Sequence, residues 1–269
     1  MMHEGRGGKI TEMQSHHWTM AFRSFVALPV LVTLGATAPL AQERQPTDGQ
    51  PKVVLELFTS QGCSSCPAAD ALLETFMKRP DVIAMSLAVD YWDYLGWKDT
   101  LASKRFTERQ RAYAKTRGDG KIYTPQMVVN GLAHVNGAHP GDIDQAIMKT
   151  SGKLAGERIP VRIKFTSDKI VIEAGAAAEG DKPRDATIWL AAIQDEVQVP
   201  VRGGENHGRT LTYHNIVREM KNVGTWNGKP VTVQIDRAAL APLNADRCAV
   251  LLQTGGTGPI IGAAYLAEN

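Results

Sequence analysis

The sequence predicts an α/β domain followed by a small, mainly antiparallel β domain. Between residues 51 and 152, apolar runs of strand length alternate with helical patterns, as in a sheet covered by helices. Two cysteines, Cys63 and Cys66, stand where the first predicted strand turns into the first predicted helix. Between residues 153 and 269, short apolar runs are separated by Gly, Pro, Asn and Asp, which is typical of an antiparallel sandwich.

In the first domain, each element has its own local signal. The short apolar run at 53–58 indicates a buried strand, and Pro67 suits the first turn of the helix that follows. Asn130-Gly131 is a turn dipeptide and predicts a hairpin. The remaining elements are predicted as a strand at 82–89, a helix at 106–116, strands at 127–129 and 134–136, and a helix at 140–148.

In the second domain, the pattern predicts strands and no long helix. One polar, glycine-rich segment, residues 203–215, has the composition of a binding loop. It contains two histidines, for which we expect turn interactions in preference to metal binding. The predicted strands lie at 161–165, 169–173, 186–193, 231–235, 248–253 and 260–266.

The N-terminus predicts export. Residues 25–34 form an uncharged apolar run behind Arg23 that is too short for a stable membrane span, and small residues follow as far as Ala41. We therefore expect a signal peptide at 1–41, a polar linker at 42–50, and a periplasmic or secreted protein. An uncleaved anchor is the alternative, and it would be the only attachment to a membrane.

The charge balance excludes one class of partner. The chain has 269 residues with 30 Lys and Arg against 28 Asp and Glu, a formal net charge of +2. Neutralising several phosphates would need a clear basic excess. We therefore expect a protein or a small molecule as the partner, and no nucleic acid.

The Cys63-Ser-Ser-Cys66 motif predicts thiol chemistry. A cysteine just before a helix experiences the positive end of the helix dipole, so Cys63 would be held partly as a thiolate. A thiolate attacks a disulfide to form a mixed disulfide, which Cys66 can then resolve. An exported protein can keep such a pair oxidised. The expected partner therefore carries a thiol or a disulfide, and no cofactor is needed.

Other interpretations of the pair remain open. A structural disulfide across so short a loop would contribute only about 2 kcal/mol to stability through chain entropy. Zinc normally takes four ligands, and the sequence offers no second cysteine or histidine pair to complete a set. Cu(I) would suit the two thiolates with a thioether such as Met127. A copper carrier or an interaction module is therefore the non-enzymatic alternative.

Aromatic residues and a third cysteine complete the candidates. Tyr91 and Trp92 follow the second predicted strand, where an aromatic rim beside Cys63 would receive an apolar peptide segment. A packed loop is the alternative. Cys248 lies within an apolar run, so we expect a buried, inert thiol.

At this point the motifs resemble the thioredoxin superfamily, in which a strand, a C-x-x-C pair and a helix are followed by a cis-proline facing the disulfide. Pro125 matches that proline by order and context. The resemblance implies that Thr124 pairs with the substrate backbone. It also implies that Glu56 acts as the buried proton acceptor behind Cys66, although its spacing is one residue longer. The alternative is that Glu56 faces solvent or pairs with a lysine.

A narrower resemblance covers more of the chain. The stretches FTSQGCSSCP, VDYWDYLGW, YTPQMVVNG and GRTLTYHN are similar to a family of secreted bacterial proteins of unknown function, thioredoxin-like at the N-terminal end. Together these observations predict a thioredoxin-like α/β domain followed by a sandwich-like β domain. The predicted function is an exported thiol–disulfide oxidoreductase in which the direction of exchange is open.

Overall fold

The computed structural model describes residues 53–179, 184–240 and 243–267. The predicted signal peptide and linker lie outside these residues. None of the helices in the described ranges has the length and apolar character needed to cross a membrane.

Strands dominate the described chain, which contains three α-helices. The helices are α1 (Cys66–Met77), α2 (Lys104–Arg117) and α3 (Pro140–Lys153). The strands of the first half are β1 (Val53–Thr59), β2 (Val82–Ala88), β3 (Gln126–Val129) and β4 (Ala133–Asn136). Those of the second half are β5 (Val161–Phe165), β6 (Lys169–Ala174), β7 (Ala186–Pro200), β8 (Thr210–Trp226), β9 (Val231–Asp236), β10 (Arg247–Thr254) and β11 (Ile260–Ala267).

Eight of these strands form one mixed sheet, in the order β11-β10-β7-β8-β2-β1-β3-β4. Strand β2 runs parallel to β1 on one side and meets β8 in parallel on the other, where Ser86 is the partner of Ile216. Strands β5, β6 and β9 form a separate three-stranded sheet. The predicted fold class is therefore wrong. In the predicted arrangement each domain would have its own sheet, whereas strands from both halves of this chain share the eight-stranded sheet.

Two errors in the predicted strands explain the wrong fold class. Strand β7 continues to Pro200, well beyond the predicted end at residue 193, and β8 occupies a stretch that was predicted as a polar loop as far as residue 215. In β8 many buried side chains alternate with partly exposed or exposed ones, as expected for a strand with one covered face. Its polar residues therefore masked the alternation.

The large sheet is covered on both faces. Helix α2 packs on one face, where its Phe106 and Tyr113 join a core that runs from β1 to β11. On the opposite face, α1 and α3 cover β1, β2 and β3, and the three-stranded sheet covers β7, β10 and β11. All seven residues of β1 are buried for this reason, as the apolar run predicted.

The predicted hairpin is confirmed. Strands β3 and β4 are antiparallel neighbours, and Asn130 and Gly131 connect them with φ of 52° and 68°. Positive φ at both positions is what a type I′ hairpin turn requires.

Candidate functional site

Cys63 and Cys66 form a disulfide at the turn between β1 and α1, with their Cα atoms 5.4 Å apart. Both side chains are buried, at 1% and 0% exposure, while the intervening Ser64 and Ser65 are exposed. The hydroxyl of Ser65 lies 3.5 Å from Sγ of Cys63. In the reduced protein this hydroxyl is placed to donate to a Cys63 thiolate, and such a bond favours the charged form.

The turn before the disulfide is tightly packed. Gly62 N–H donates to the Ser60 hydroxyl at 3.1 Å. A Cβ at Gly62 would lie 2.9 Å from Cβ of Trp92, so only glycine fits there without displacing the tryptophan. Helix α1 then begins at Cys66 with Pro67 in its first turn, as the sequence predicted.

A buried aspartate, Asp99, holds the same turn from the other side. Its Oδ2 accepts the Gln61 N–H at 2.7 Å, and its Oδ1 accepts the N–H groups of Leu101 and Ala102. The Gln61 side chain in turn accepts from the indole of Trp97 at 2.8 Å. Burial raises the pKa of Asp99, and these donors oppose the shift by stabilising its charge.

The loop between β7 and β8 packs on the disulfide turn. Asn206 is fully buried, and its Nδ2 donates to the carbonyls of Gln61 and Cys63, both at 2.9 Å. The carboxylate of the adjacent Glu205 accepts the Ser64 N–H at 3.0 Å. A Cβ at Gly203 would lie 2.7 Å from the carbonyl oxygen of Gly96, so the loop comes close to the backbone at that position.

The predicted substrate-binding residues lie together beside this turn. The indole of Trp92 donates to the Thr124 hydroxyl at 2.8 Å. Burial raises the pKa of the Tyr91 hydroxyl, and Thr124 is one of the neighbours that oppose the shift. The bond between Thr124 and Pro125 is cis. Tyr91, Trp92 and Thr124 are therefore one cluster, which contacts the disulfide turn through Trp92 and Gly62.

Glu56 occupies a different environment from the one the resemblance implied. Its Oε1 accepts from Nε of Arg109 at 2.7 Å, and its Oε2 accepts from Nη2 of Arg109 and from the Tyr113 hydroxyl. Arg109 also donates to the Gln253 side chain at 2.9 Å. The carboxylate is completely buried, so it neither faces solvent nor pairs with a lysine. With both oxygens occupied, it is poorly suited to exchange a proton with Cys66.

A second buried carboxyl, Asp70, lies on α1 four residues after Cys66, so the two side chains share one face of the helix. Asp70 is 4% exposed, and neither of its oxygens has a hydrogen-bond partner in the described structure. Burial is the main cause that raises its pKa to about 8, the charge of Asp99 adds to the shift, and the neighbouring Thr59 offsets part of it. The hydroxyl of Tyr213, also buried without a partner in the described structure, has its pKa raised by burial and by Asp70.

Sequence reasoning missed several residues of this site, among them Asp70, Glu205 and Asn206. Asp70 had a local signal, because the buried face of α1 contains Cys66, Ala69, Asp70 and Leu73 at helical spacing. Glu205 and Asn206 had only the glycine-rich composition of their segment as a signal. Their contacts with the disulfide turn span more than 140 residues, which no local pattern reports.

The third cysteine and the metal alternatives can also be located. Cys248 is free and buried as predicted, and burial raises its thiol pKa to about 11. Met127 is fully buried in the core beneath α1 and α3. Among the described residues, no group of three or more His, Cys, Asp or Glu side chains is placed to hold a metal ion.

Taken together, the fold and site define a mixed-sheet protein with a buried disulfide at a strand-to-helix turn. The model of a family described as protein of unknown function (DUF1223) matches residues 54–253, and the chain belongs to this family. The sequence predicted membership of a family of unknown function, and this membership is confirmed. None of the curated proteins matches the chain.

Two solved structures are similar to it. The crystal structure of protein AGR_C_4864 from Agrobacterium tumefaciens is 36% identical, with a TM-score of 0.71, and the match covers 82% of this chain and 96% of that one. HBP35 of Porphyromonas gingivalis is 14% identical with a TM-score of 0.59, covering 81% of this chain and 75% of that one. The second likeness concerns the fold alone.

Proposed function

We propose that this protein exchanges thiols and disulfides at the Cys63–Cys66 pair. The observation that carries the proposal is the juxtaposition of a buried disulfide with the unpartnered carboxyl of Asp70, one turn along the same helix. A disulfide that only cross-links four residues stabilises the chain little. A buried carboxyl without a partner is costly to stability, and such groups are concentrated at functional sites.

The exchange starts from the disulfide seen in the structure. A substrate thiolate attacks Sγ of Cys63, so a bond from substrate to Cys63 forms while the bond to Cys66 breaks. Cys66 leaves with the electron pair and takes up a proton. A second substrate thiolate then attacks the substrate sulfur of this mixed disulfide and releases Cys63 as a thiolate. The substrate loses two electrons, the pair gains two, and the reverse sequence reduces a substrate disulfide.

Asp70 supplies the proton that Cys66 needs. Because burial raises its pKa to about 8, the carboxyl is neutral at pH 7 and can donate as a general acid. In the reverse direction its carboxylate accepts the Cys66 proton. Asp70 would thus perform the role that the resemblance assigned to Glu56, which is bound to Arg109.

The substrate would enter beside the aromatic cluster. Tyr91 and Trp92 offer apolar surface for a peptide, and Thr124 and Pro125 would shape the groove next to them. The expected substrates are proteins or small molecules that carry thiols or disulfides. This chemistry fits a periplasmic or secreted protein, since disulfides persist in such compartments. We relate the chain to the thioredoxin superfamily through this local strand–disulfide–helix unit and its cis-proline, and not through the whole fold.

Reduction of the oxidised full chain by dithiothreitol and by glutathione tests the proposal. We expect the pair to take up two electrons reversibly, with a defined reduction potential. Cys63→Ser and Cys66→Ser should each abolish this exchange, whereas Cys248→Ser should leave it unchanged. A pair that does not exchange with either thiol would overturn the proposal. Tight Cu(I) binding by that protein after its pair is reduced with a phosphine, lost in Met127→Leu, would then identify a copper carrier.

Asp70→Asn tests the proton transfer. The asparagine amide has nearly the same shape as the carboxyl. Unlike the carboxyl, it is far too weak an acid to transfer a proton to the leaving thiolate. We expect exchange at pH 7 to slow roughly tenfold or more, in line with general acid catalysis. The two proteins should converge above pH 8, where the wild-type carboxyl is ionised. Equal rates at pH 7 would exclude Asp70 from the reaction.

A further inference from the structure

The loop of residues 203–209 carries an acidic group to the disulfide turn from a distant part of the chain. Strands β7 and β8 are antiparallel, with Pro200 opposite Thr210, so this loop is the tip of a long hairpin. The N–H of Val201 donates to the Arg209 carbonyl at 2.9 Å, and the N–H of Gly208 donates back to the Val201 carbonyl at 2.9 Å. These bonds give the loop a fixed conformation.

Asn206 fixes this hairpin tip to the disulfide turn. Its Nδ2 donates to the carbonyls of Gln61 and Cys63, and its Oδ1 accepts from Arg209 at 2.8 Å. Both polar atoms of the Asn206 side chain, Nδ2 and Oδ1, therefore have protein partners, and the side chain is fully buried. Glu205, the preceding residue, is consequently held against the same turn.

Glu205 places a negative charge where a thiolate would form. Its Oε2 accepts the N–H of Ser64, the residue next to Cys63, at 3.0 Å. Helix α1 itself has no acidic residue in its first turn and no side-chain cap at Ser65. The positive end of this helix is therefore shared between the Glu205 carboxylate and any anion on Cys63.

Other charged groups also lie around the turn. Asp99 is also acidic, and it is engaged by three backbone N–H groups. Asp70 lies further along the helix, beyond Cys66. Arg202 and Arg209 are cations of the connection between β7 and β8, and the guanidinium of Arg209 donates to Asn206. The Ser65 hydroxyl is the neighbour placed to donate to a Cys63 thiolate.

We propose that Glu205 disfavours the thiolate of Cys63 and thereby biases the Cys63–Cys66 pair toward the disulfide. This inference rests on the proposed function and assigns a direction to it. A pair whose thiolate is not stabilised is less oxidising, and its reduced form gives electrons to substrate disulfides more readily. Glu205 acts through the local charge at Cys63, so it is a positioning residue and makes no bond to substrate.

Glu205→Gln is the variant that isolates the charge. The glutamine oxygen can still accept the Ser64 N–H, and the side chain is exposed, so folding should be preserved. We expect the pKa of Cys63 in the reduced protein to fall by about 0.5 unit, the size of a surface charge acting at a helix terminus. The pH profile of iodoacetamide alkylation in a Cys66→Ser, Cys248→Ser background measures this pKa.

Two further readouts identify the mechanism. At pH values where Cys63 ionises, the redox equilibrium of Glu205→Gln with glutathione should shift about threefold toward the dithiol, equal to about 15 mV. The pKa difference should shrink at high salt, because an exposed charge is screened. Glu173→Gln is the matched control, since Glu173 is an acidic residue of the three-stranded sheet, and it should change neither quantity.

The outcomes separate this inference from the function on which it rests. An unchanged or higher Cys63 pKa in Glu205→Gln overturns the role of Glu205, even if the wild-type protein exchanges disulfides normally. A lower Cys63 pKa, with the predicted redox shift, supports it. If the wild-type protein exchanges with no thiol, the proposed function fails, and the alkylation profile still decides whether Glu205 acts on Cys63.

Discussion

Glu56 and Asp70 are two of the carboxyl groups buried in the described part of the chain, and their surroundings are opposite. Glu56 on β1 is enclosed by donors, with Arg109 and Tyr113 bonded to its oxygens and Gln253 bonded to both of these partners. Asp70 on α1 is almost equally buried, yet neither of its oxygens has a partner among the described residues. Burial alone therefore does not determine whether a carboxyl has hydrogen-bond partners.

The difference shows what each carboxyl can do. Glu56 is one half of a buried ion pair that joins β1 and α2, and through Gln253 it also reaches β10. Removing one partner of such a pair leaves an uncompensated charge. Asp70 instead remains neutral near pH 7, because burial penalises its ionised form. The first group stabilises the fold, and the second holds a proton beside a disulfide.

Arg109→Met would remove the cation that pairs with Glu56 and leave the Tyr113 hydroxyl as a donor to its carboxylate. We expect the free energy of unfolding to fall by about 3–5 kcal/mol, because the buried carboxylate loses its cation. Urea denaturation at pH 7 measures this loss. Arg105→Met is the matched control, since Arg105 pairs with Glu219 at the surface and should contribute less than about 1 kcal/mol. If the two variants lost the same free energy of unfolding, the buried pair would contribute no more to stability than the surface pair.

Asp70→Asn tests the second carboxyl, by removing the group whose ionisation makes stability depend on pH. The folded-state pKa of about 8 lies above the unfolded value, so unfolding releases a proton between about pH 4 and 8. The stability of the wild-type protein should therefore decrease as pH rises through this window. The asparagine variant should lose this component and be more stable than wild type at pH 8 by as much as about 5 kcal/mol.

Urea denaturation of the oxidised protein at a series of pH values provides the measurement for Asp70. Asp144→Asn is a suitable control, because this exposed aspartate pairs with Arg79 at the surface. It should leave the pH dependence unchanged. Parallel stability curves for wild type and Asp70→Asn would contradict the assignment of a buried, protonated carboxyl.

Asn206→Ala should have a smaller effect than Arg109→Met or Asp70→Asn. It removes the donor from the carbonyls of Gln61 and Cys63 at a buried position, at an expected cost of about 1–3 kcal/mol. His207→Ala, at the exposed neighbouring position, should stay within about 0.5 kcal/mol of wild type. Thermal or urea unfolding distinguishes them, and a matching small effect for both would mean that the loop does not hold the disulfide turn.

The sequence predicted the parts of the molecule that have local causes. Pro67 and the apolar run before it located the disulfide turn, and Asn130-Gly131 located the hairpin. Asp70 could have been found by asking which polar residue falls on the buried face of α1.

Long-range pairings account for what the sequence did not predict. Glu56 and Arg109 are 53 residues apart, and Glu205 and Ser64 are 141 residues apart. The parallel contact between Ser86 and Ile216 joins the two halves of the chain into one sheet. The predicted fold class was wrong because the sequence contains no sign of this contact. Nothing in the local composition of either strand indicates its partner across such a separation.

Trapping a mixed disulfide tests the central claim most directly. In a Cys66→Ser, Cys248→Ser variant, Cys63 is left without its resolving partner and should remain bonded to a substrate thiol. Expressed in an exporting bacterium and alkylated on lysis, this variant should show higher-mass adducts that disappear on reduction. Cys63→Ser with Cys248→Ser should show none. If the first variant traps nothing through Cys63, the protein does not exchange disulfides and the account is contradicted.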